Sequence, residues 1–321
     1  MSSKGSVIKN VSDTAFWVAF YRSIESKRKD ALFHDPFANL LIGEYGKKIS
    51  GSMKPFAKYA YWSVTIRTPL IDEYIQKYTT EGYKAVINLG AGLDTRPYRL
   101  SLPPETHWIE VDFPEIIALK KAKLKDENPK CKIERIGMDL SDIAERKRLF
   151  SEVNHRVGPA IILTEGVVPY LNEDAVTSLA NDIKAQSNFR LWISEYYSPD
   201  LYPRYQSPTF KKSLGDSLFQ FFPADWFSAF ENCGWTKKEM KYLHDEAAKH
   251  NRKFPLPWWG LLLKLIIGEQ KIIGKIRKYS AYIVFEKRTK MDNKKAKIRE
   301  YKDVIPPKKR CSKVELSRSM I

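Results

Sequence analysis

Between residues 84 and 195 short apolar runs alternate with stretches whose apolar residues recur every three or four positions. The runs predict strands at 84–89, 106–111, 131–136, 159–164 and 189–195. The stretches predict helices from about 94 and at 114–126, 141–153 and 172–186. Runs that are apolar at nearly every residue need cover on both faces, so the alternation predicts a mostly parallel sheet with helices on each side. Ahead of it, Phe16, Val18, Ala19, Phe20, Ile24, Leu40 and Leu41 keep a helical spacing through 12–45. Ser12 and Asp13 are available as N-cap, and Pro36 suits a new helix start after a break at His34-Asp35. Trp62, Ile66, Leu70, Ile71 and Ile75 place an apolar stripe along a helix over about 55–78. These helices are expected to flank or cover a ligand site.

After 195 the pattern lapses. Three prolines within Ser198-Pro-Asp-Leu-Tyr-Pro-Arg-Tyr-Gln-Ser-Pro208 predict a break in regular structure, so 197–223 is the candidate substrate loop. A helix over Pro223–Cys233 with a cap at Gly234, a strand over 235–242 and a last strand over 280–285 follow. Pro257–Gly268 is the most apolar stretch, but at about 12 residues, interrupted by Lys264, it is too short to span a bilayer. Core or lid packing, dimerisation and a membrane-interface contact all suit it. No internal repeat is evident.

A length of 321 residues with 43% hydrophobic content allows one large core with a cap. Cys131, Cys233 and Cys311 are far apart, which argues against a disulfide framework or a zinc site and points to a reducing, cytoplasmic setting. His34, His107, His155, His244 and His250 show no ligand spacing. The N-terminus lacks the apolar core of a signal peptide. A net charge of +17 raises the question of nucleic acid, but its distribution answers much of it. Residues 287–321 hold 13 Lys or Arg against four acids, a net of +9, which leaves +8 for the rest. That tail reads as disordered: a solvated appendage, or a salt-sensitive contact with acidic lipid, nucleic acid or protein.

The chemistry concentrates where strands end. The run Ala85–Leu89 stops at Gly90-Ala91-Gly92, a turn that lets backbone approach a ligand closely. About 20 residues on, the next run stops at Asp112, placed to accept ribose hydroxyls. A dinucleotide fingerprint would need glycine at 95, where the chain has Thr95. Two glycines without a pyrophosphate cradle suit S-adenosyl-L-methionine better than NAD, although an ordinary strand–helix turn has the same spacing. Asp139 and Leu140 follow the third strand: the carboxylate can accept from an adenine amine while its neighbour packs on the ring, or Asp139 can cap the next helix. Glu165 follows the fourth. Ligands of open α/β sheets bind beyond the carboxyl ends of strands, so Gly90, Asp112, Asp139 and Glu165 should meet at one edge. Neither a G-x-S-x-G elbow nor a nucleoside-triphosphate loop is present.

Asn88–Arg96, Glu110–Pro114, Asp139-Leu140 and Thr164–Leu171, with the lead-in Thr14–Arg22 and Asp30–Ala38, resemble the leucine carboxyl methyltransferase-like family of class I S-adenosylmethionine-dependent methyltransferases, particularly its bacterial branch. The resemblance covers roughly residues 10–290. It implies a Rossmann-like, mostly parallel sheet closed by a C-terminal antiparallel strand, and a helical cap. It also implies that Arg67, in Thr65-Ile-Arg-Thr-Pro69, holds the cofactor's methionine carboxylate and that Glu165 lies near its amino group.

The expected layout is a cap over 1–80, a cofactor-binding domain over 81–290 and a basic tail over 291–321. The expected reaction is methyl transfer from S-adenosyl-L-methionine to a carboxylate or hydroxyl of a small molecule. Positioning supplies much of such a rate, and since the resembling family includes both carboxyl and hydroxyl methylators, no residue is assigned as a general base. Tyr170, Tyr196, Tyr197 and Tyr202 are candidate pocket walls. The alternatives are methylation of a protein C-terminal carboxylate, and a non-catalytic nucleoside-binding protein whose tail binds membrane or nucleic acid.

Overall fold

Five strands of the sheet are apolar and deeply buried along most of their length, and they order the rest of the chain around themselves. The computed structural model describes residues 11–52, 57–214, 217–256 and 268–288. Its sheet holds β1 (Ala85–Leu89), β2 (His107–Asp112), β3 (Lys132–Gly137), β4 (Ala160–Thr164), β5 (Phe189–Tyr197), β6 (Trp235–Tyr242) and β7 (Ser280–Lys287). Their order is β3-β2-β1-β4-β5-β7-β6. The first five pair in parallel, with Leu89 beside Val111 and Asp112 beside Gly137, whereas β7 runs antiparallel to β5 and β6. The strand directions are as expected, a mostly parallel sheet closed by antiparallel pairing at its C-terminal end.

Alternation along each strand divides the core. Ile87, Leu89, Ile109 and Val111 face α6 (Ile143–Arg156), α7 (Glu173–Ala185) and α10 (Trp226–Asn232) through Phe150, Leu179, Ile183 and Phe230. Val86, Trp108, Ile161 and Ile193 face α3 (Ala57–Thr80) through Ile66, Leu70, Tyr74 and Tyr78. The long apolar stripe of α3 thus lies across the sheet. Helices α1 (Val11–Glu25) and α2 (Ala38–Ser52, kinked at Gly43) pack against each other, with Leu119 of α5 (Pro114–Lys123) against the same cluster, and all belong to the unit that ends at Lys287.

Three expectations need adjustment. The helix expected from about 94 is a single turn, α4 (Arg96–Arg99), because Leu100 turns extended and Pro103-Pro104 follow. Residues 197–223 are not irregular throughout: a 3₁₀ turn at Pro199–Leu201, α8 (Tyr202–Tyr205) and α9 (Pro208–Leu214) occupy much of the segment. The prolines lie in first helical turns, where the missing N–H costs nothing, so they start these helices instead of breaking them. The helix expected over Pro223–Cys233 starts later, at Trp226 with Asp225 as its N-cap, and ends as expected at Gly234, whose φ is +79°. Residues 257–267 of the apolar stretch and the tail from 289 lie outside the described residues.

Candidate functional site

The chain leaves β1 through Gly90, whose φ of +66° favours glycine, and whose N–H donates to the carbonyl of Val111 at 2.8 Å. A Cβ on Gly90 would lie 2.5 Å from Cγ2 of Val167, in the turn after β4. Gly92, at φ +45°, is approached from α1, less tightly: a Cβ there would lie 3.0 Å from that of Ala15. The Gly92 N–H donates to Oδ2 of Asp112 at 2.6 Å and the Phe113 N–H to its Oδ1 at 2.7 Å. Burial raises the Asp112 carboxyl and these two N–H donors oppose the rise. Asp112 is thereby oriented by backbone, with acceptor capacity left over, since a carboxylate offers about four lone-pair sites.

Behind this turn lies a buried charge network. Arg96, 2% exposed, donates from Nε to Asp72 at 2.7 Å and from Nη1 to Asp94 and Glu165, each at 2.8 Å. Arg67 donates from Nε to the other oxygen of Glu165 at 2.9 Å. Burial alone would raise the Glu165 carboxyl, but Arg96 and Arg67 outweigh it and hold the group below its ordinary value. Asp94 is held down in the same way, against burial, chiefly by Arg96. No acceptor in the described residues engages the Nη groups of Arg67, and Arg67 lines the cavity.

That cavity, about 830 Å³, runs along the strand ends. Its wall includes all seven candidate residues: Arg67 from α3, Gly90 and Gly92 after β1, Asp112 ending β2, Asp139 and Leu140 after β3, and Glu165 after β4. Asp139 is not the cap of α6. Its Oδ1 accepts from the Ser141 N–H at 2.8 Å, whereas Asp142 caps the helix by accepting from the Glu145 N–H. Arg146, 4% exposed, donates to the Leu140 carbonyl and is anchored by Asp182.

Of the candidate tyrosines, Tyr170 and Tyr197 line the cavity. Tyr196 instead packs on Trp226 and Phe227, and the Tyr202 hydroxyl donates to the Pro223 carbonyl. The sequence reading missed much of the wall. Helix α1 contributes Thr14, Ala15, Trp17 and Val18, and also Arg22, which bonds the Leu93 carbonyl and Asp35. Tyr59, Tyr205, Phe210 and Phe219 complete an aromatic end. Arg96 belongs to the Asn88–Arg96 motif but has no role of its own there; the opposite charges of Asp94 and Arg96 are the signal the sequence offers for it. Among the described residues no group of three His, Cys, Asp or Glu could hold a metal, and no helix is long and apolar enough to cross a membrane.

Residues 15–184, just over half of the chain, match the family model for leucine carboxyl methyltransferase. The chain belongs to the leucine carboxyl methyltransferase family. A candidate S-adenosyl-L-methionine-dependent methyltransferase of Streptomyces avermitilis is 28% identical over 261 residues, 76% of this chain and 89% of that protein. One of Frankia alni, described in the same words, is 28% identical over 256 residues, covering 76% and 88%. Two solved structures share the fold at a TM-score of 0.54. One is a DUF574 family protein of Streptomyces avermitilis at 13% identity, covering 86% of this chain and 97% of that one. The other, a candidate methyltransferase of Thermobifida fusca at 12% identity, covers 88% and 96%. The matched residues include those that line the cavity at the ends of β1, β2, β3 and β4.

Proposed function

We propose that this chain is an O-methyltransferase whose acceptor is a carboxylate or hydroxyl of a small molecule, bound at the aromatic end of the cavity. By family and fold it is an S-adenosyl-L-methionine-dependent methyltransferase. The polar groups along the wall suit that cofactor. Asp112 has acceptor capacity for the ribose diol, and Asp139 with Leu140 offers an amine acceptor beside an apolar surface. The open fork of Arg67 matches a carboxylate and Glu165 an ammonium, the two charges of an amino acid. When bound, the cofactor supplies an electrophilic methyl group on its sulfonium.

The residues of the chain do the rest by placement. The glycine turn lets backbone approach the nucleoside closely, and Ala15 on α1 packs against that turn at Gly92. At 830 Å³ the cavity lies toward the large end of small-molecule sites, about 300–1,000 Å³, so donor and acceptor fit together. Alignment of two bound reactants removes much of the entropic barrier to an in-line displacement. What carries the small-molecule reading is the aromatic end, where Tyr170, Tyr197, Tyr205, Phe210 and Phe219 wall the same cavity as the glycine turn. The test is transfer of tritiated methyl from S-adenosyl-L-methionine to a panel of small carboxylic acids and phenols, alongside a peptide ending in leucine. Label in the small molecules is expected. Label in the peptide alone, or in nothing, defeats the reading.

A further inference from the structure

We propose that the acceptor is a flat aromatic anion, bearing an oxygen already ionised in free solution, and that the outer face of α8 and α9 draws it toward the cavity. This inference rests on the small-molecule reading above and narrows it.

The first observation is the absence of a base. Among the described residues lining the cavity there is no histidine, lysine or cysteine. Of its carboxylates, Asp94 and Glu165 are paired with Arg96 and Arg67, and Asp112 is engaged by two backbone N–H groups. Asp139, after β3, accepts from the Ser141 N–H, Asp174 opens α7, and both are exposed to solvent. Glu195 is engaged by the Val167 N–H at 3.1 Å and does not line the cavity. What remains at the acceptor end is phenolic. Burial pushes Tyr170 up to about 12 and raises Tyr197 and Tyr205 well above the ordinary tyrosine value. These hydroxyls stay protonated at neutral pH, so they can donate hydrogen bonds to an acceptor but cannot take its proton. A carboxylate or an acidic phenol arrives without that proton; a neutral alcohol would have nowhere to leave it.

The second observation is the shape of the wall. Tyr205 meets Tyr197, Phe210 and Phe219 with ring centroids 5.3, 5.0 and 5.1 Å apart, and Phe219 meets Tyr170 edge-on at 5.1 Å. An interlocked set of rings rewards a planar aromatic guest with edge and face contacts beyond simple burial. The third is charge. The short helices that turn Tyr205 and Phe210 inward expose Arg204, Lys211 and Lys212 outward, and the Arg204 guanidinium lies over the ring of Tyr59, itself a wall residue, at 5.0 Å. Positive charge on the outer side of an aromatic wall raises the local concentration of an anion and its rate of entry.

The probes are 2-naphthoate, neutral 2-naphthamide and decalin-2-carboxylate, titrated into the full chain loaded with S-adenosylhomocysteine. Naphthoate is expected to bind about tenfold tighter than either comparison, since each lacks one recognised feature. Its association should slow several-fold between low and physiological salt, and likewise in the combined Arg204→Gln, Lys211→Gln, Lys212→Gln variant, with affinity for S-adenosylhomocysteine unchanged. Equal binding of the amide or the decalin acid, or binding of none of the three by protein that holds S-adenosylhomocysteine, overturns the proposal. Methylation of 2-naphthalenemethanol at a rate matching naphthoate would also overturn it while leaving the small-molecule reading intact. Methylation of a leucine-terminated peptide alone would remove both.

Discussion

Replacing Glu195 by glutamine should make the protein more stable above neutral pH and leave it unchanged in acid. Glu195 ends the apolar part of β5 and is 1% exposed. Its Oε1 accepts from the Val167 N–H at 3.1 Å and its Oε2 from the Ser194 hydroxyl at 3.4 Å. Burial pushes the carboxyl up to about 7 from 4.5, against the N–H contacts and Arg67. A carboxyl whose pKa is higher in the fold than in the unfolded chain favours folding while it is protonated. Its contribution is complete below about 4.5 and is lost as pH rises through about 7. A rise of that size, at about 1.4 kcal/mol per pH unit, amounts to about 3 kcal/mol. Glutamine keeps the shape and the acceptor for Val167 but never ionises. Urea unfolding of both proteins from pH 4 to pH 9 should give matching stabilities near pH 4 and a gap favouring the variant that opens between pH 5 and pH 8. A variant less stable at every pH by a constant amount, or a gap that closes as pH rises, would refute the assignment of a buried, reluctantly ionised carboxyl.

Asp112→Ala should weaken S-adenosyl-L-methionine binding by about ten- to a hundredfold in calorimetric titration, the range for a hydrogen bond to a charged group, with the fold retained. Gly90→Ala should destabilise the protein by about 1–3 kcal/mol through its positive φ and the collision with Val167 Cγ2. Adding Val167→Ala should recover the steric part only, as read from thermal unfolding. Arg96→Met removes the cation shared by Asp72, Asp94 and Glu165 and should cost about 3–5 kcal/mol at pH 7. The deficit should shrink as pH falls through the carboxyl range, because protonated carboxyls no longer need the cation; denaturant midpoints at pH 7 and pH 4 check this.

The parts of the molecule that were legible in the sequence are those where one physical requirement leaves one pattern. A strand buried on both faces must be largely apolar, as β1 and β4 are, and all five parallel strands, the half-exposed edge strand β3 included, lie within one or two residues of the expected ranges, β5 continuing two residues further. Parallel winding then places strand ends on one edge, so Gly90, Asp112, Asp139 and Glu165, 75 residues apart at the extremes, line one cavity. Arg67 belongs to no strand end and came from family resemblance. Where one pattern serves two requirements, the sequence could not separate them. Ala15 and Val18 on α1 keep the same spacing whether they face a core or a cavity, and the prolines of 199–208 have the same composition whether they break helices or begin them. Arg96 was illegible for a further reason. A charge is tolerated 2% exposed only with its partners in place, and these sit 24 and 69 residues away at Asp72 and Glu165. The aromatic end combines both difficulties. Tyr170 follows β4, Tyr197 ends β5, and Tyr205 and Phe210 sit on short helices beyond it. No local rule joins them, so the proposed acceptor end lies where sequence periodicity carries least information.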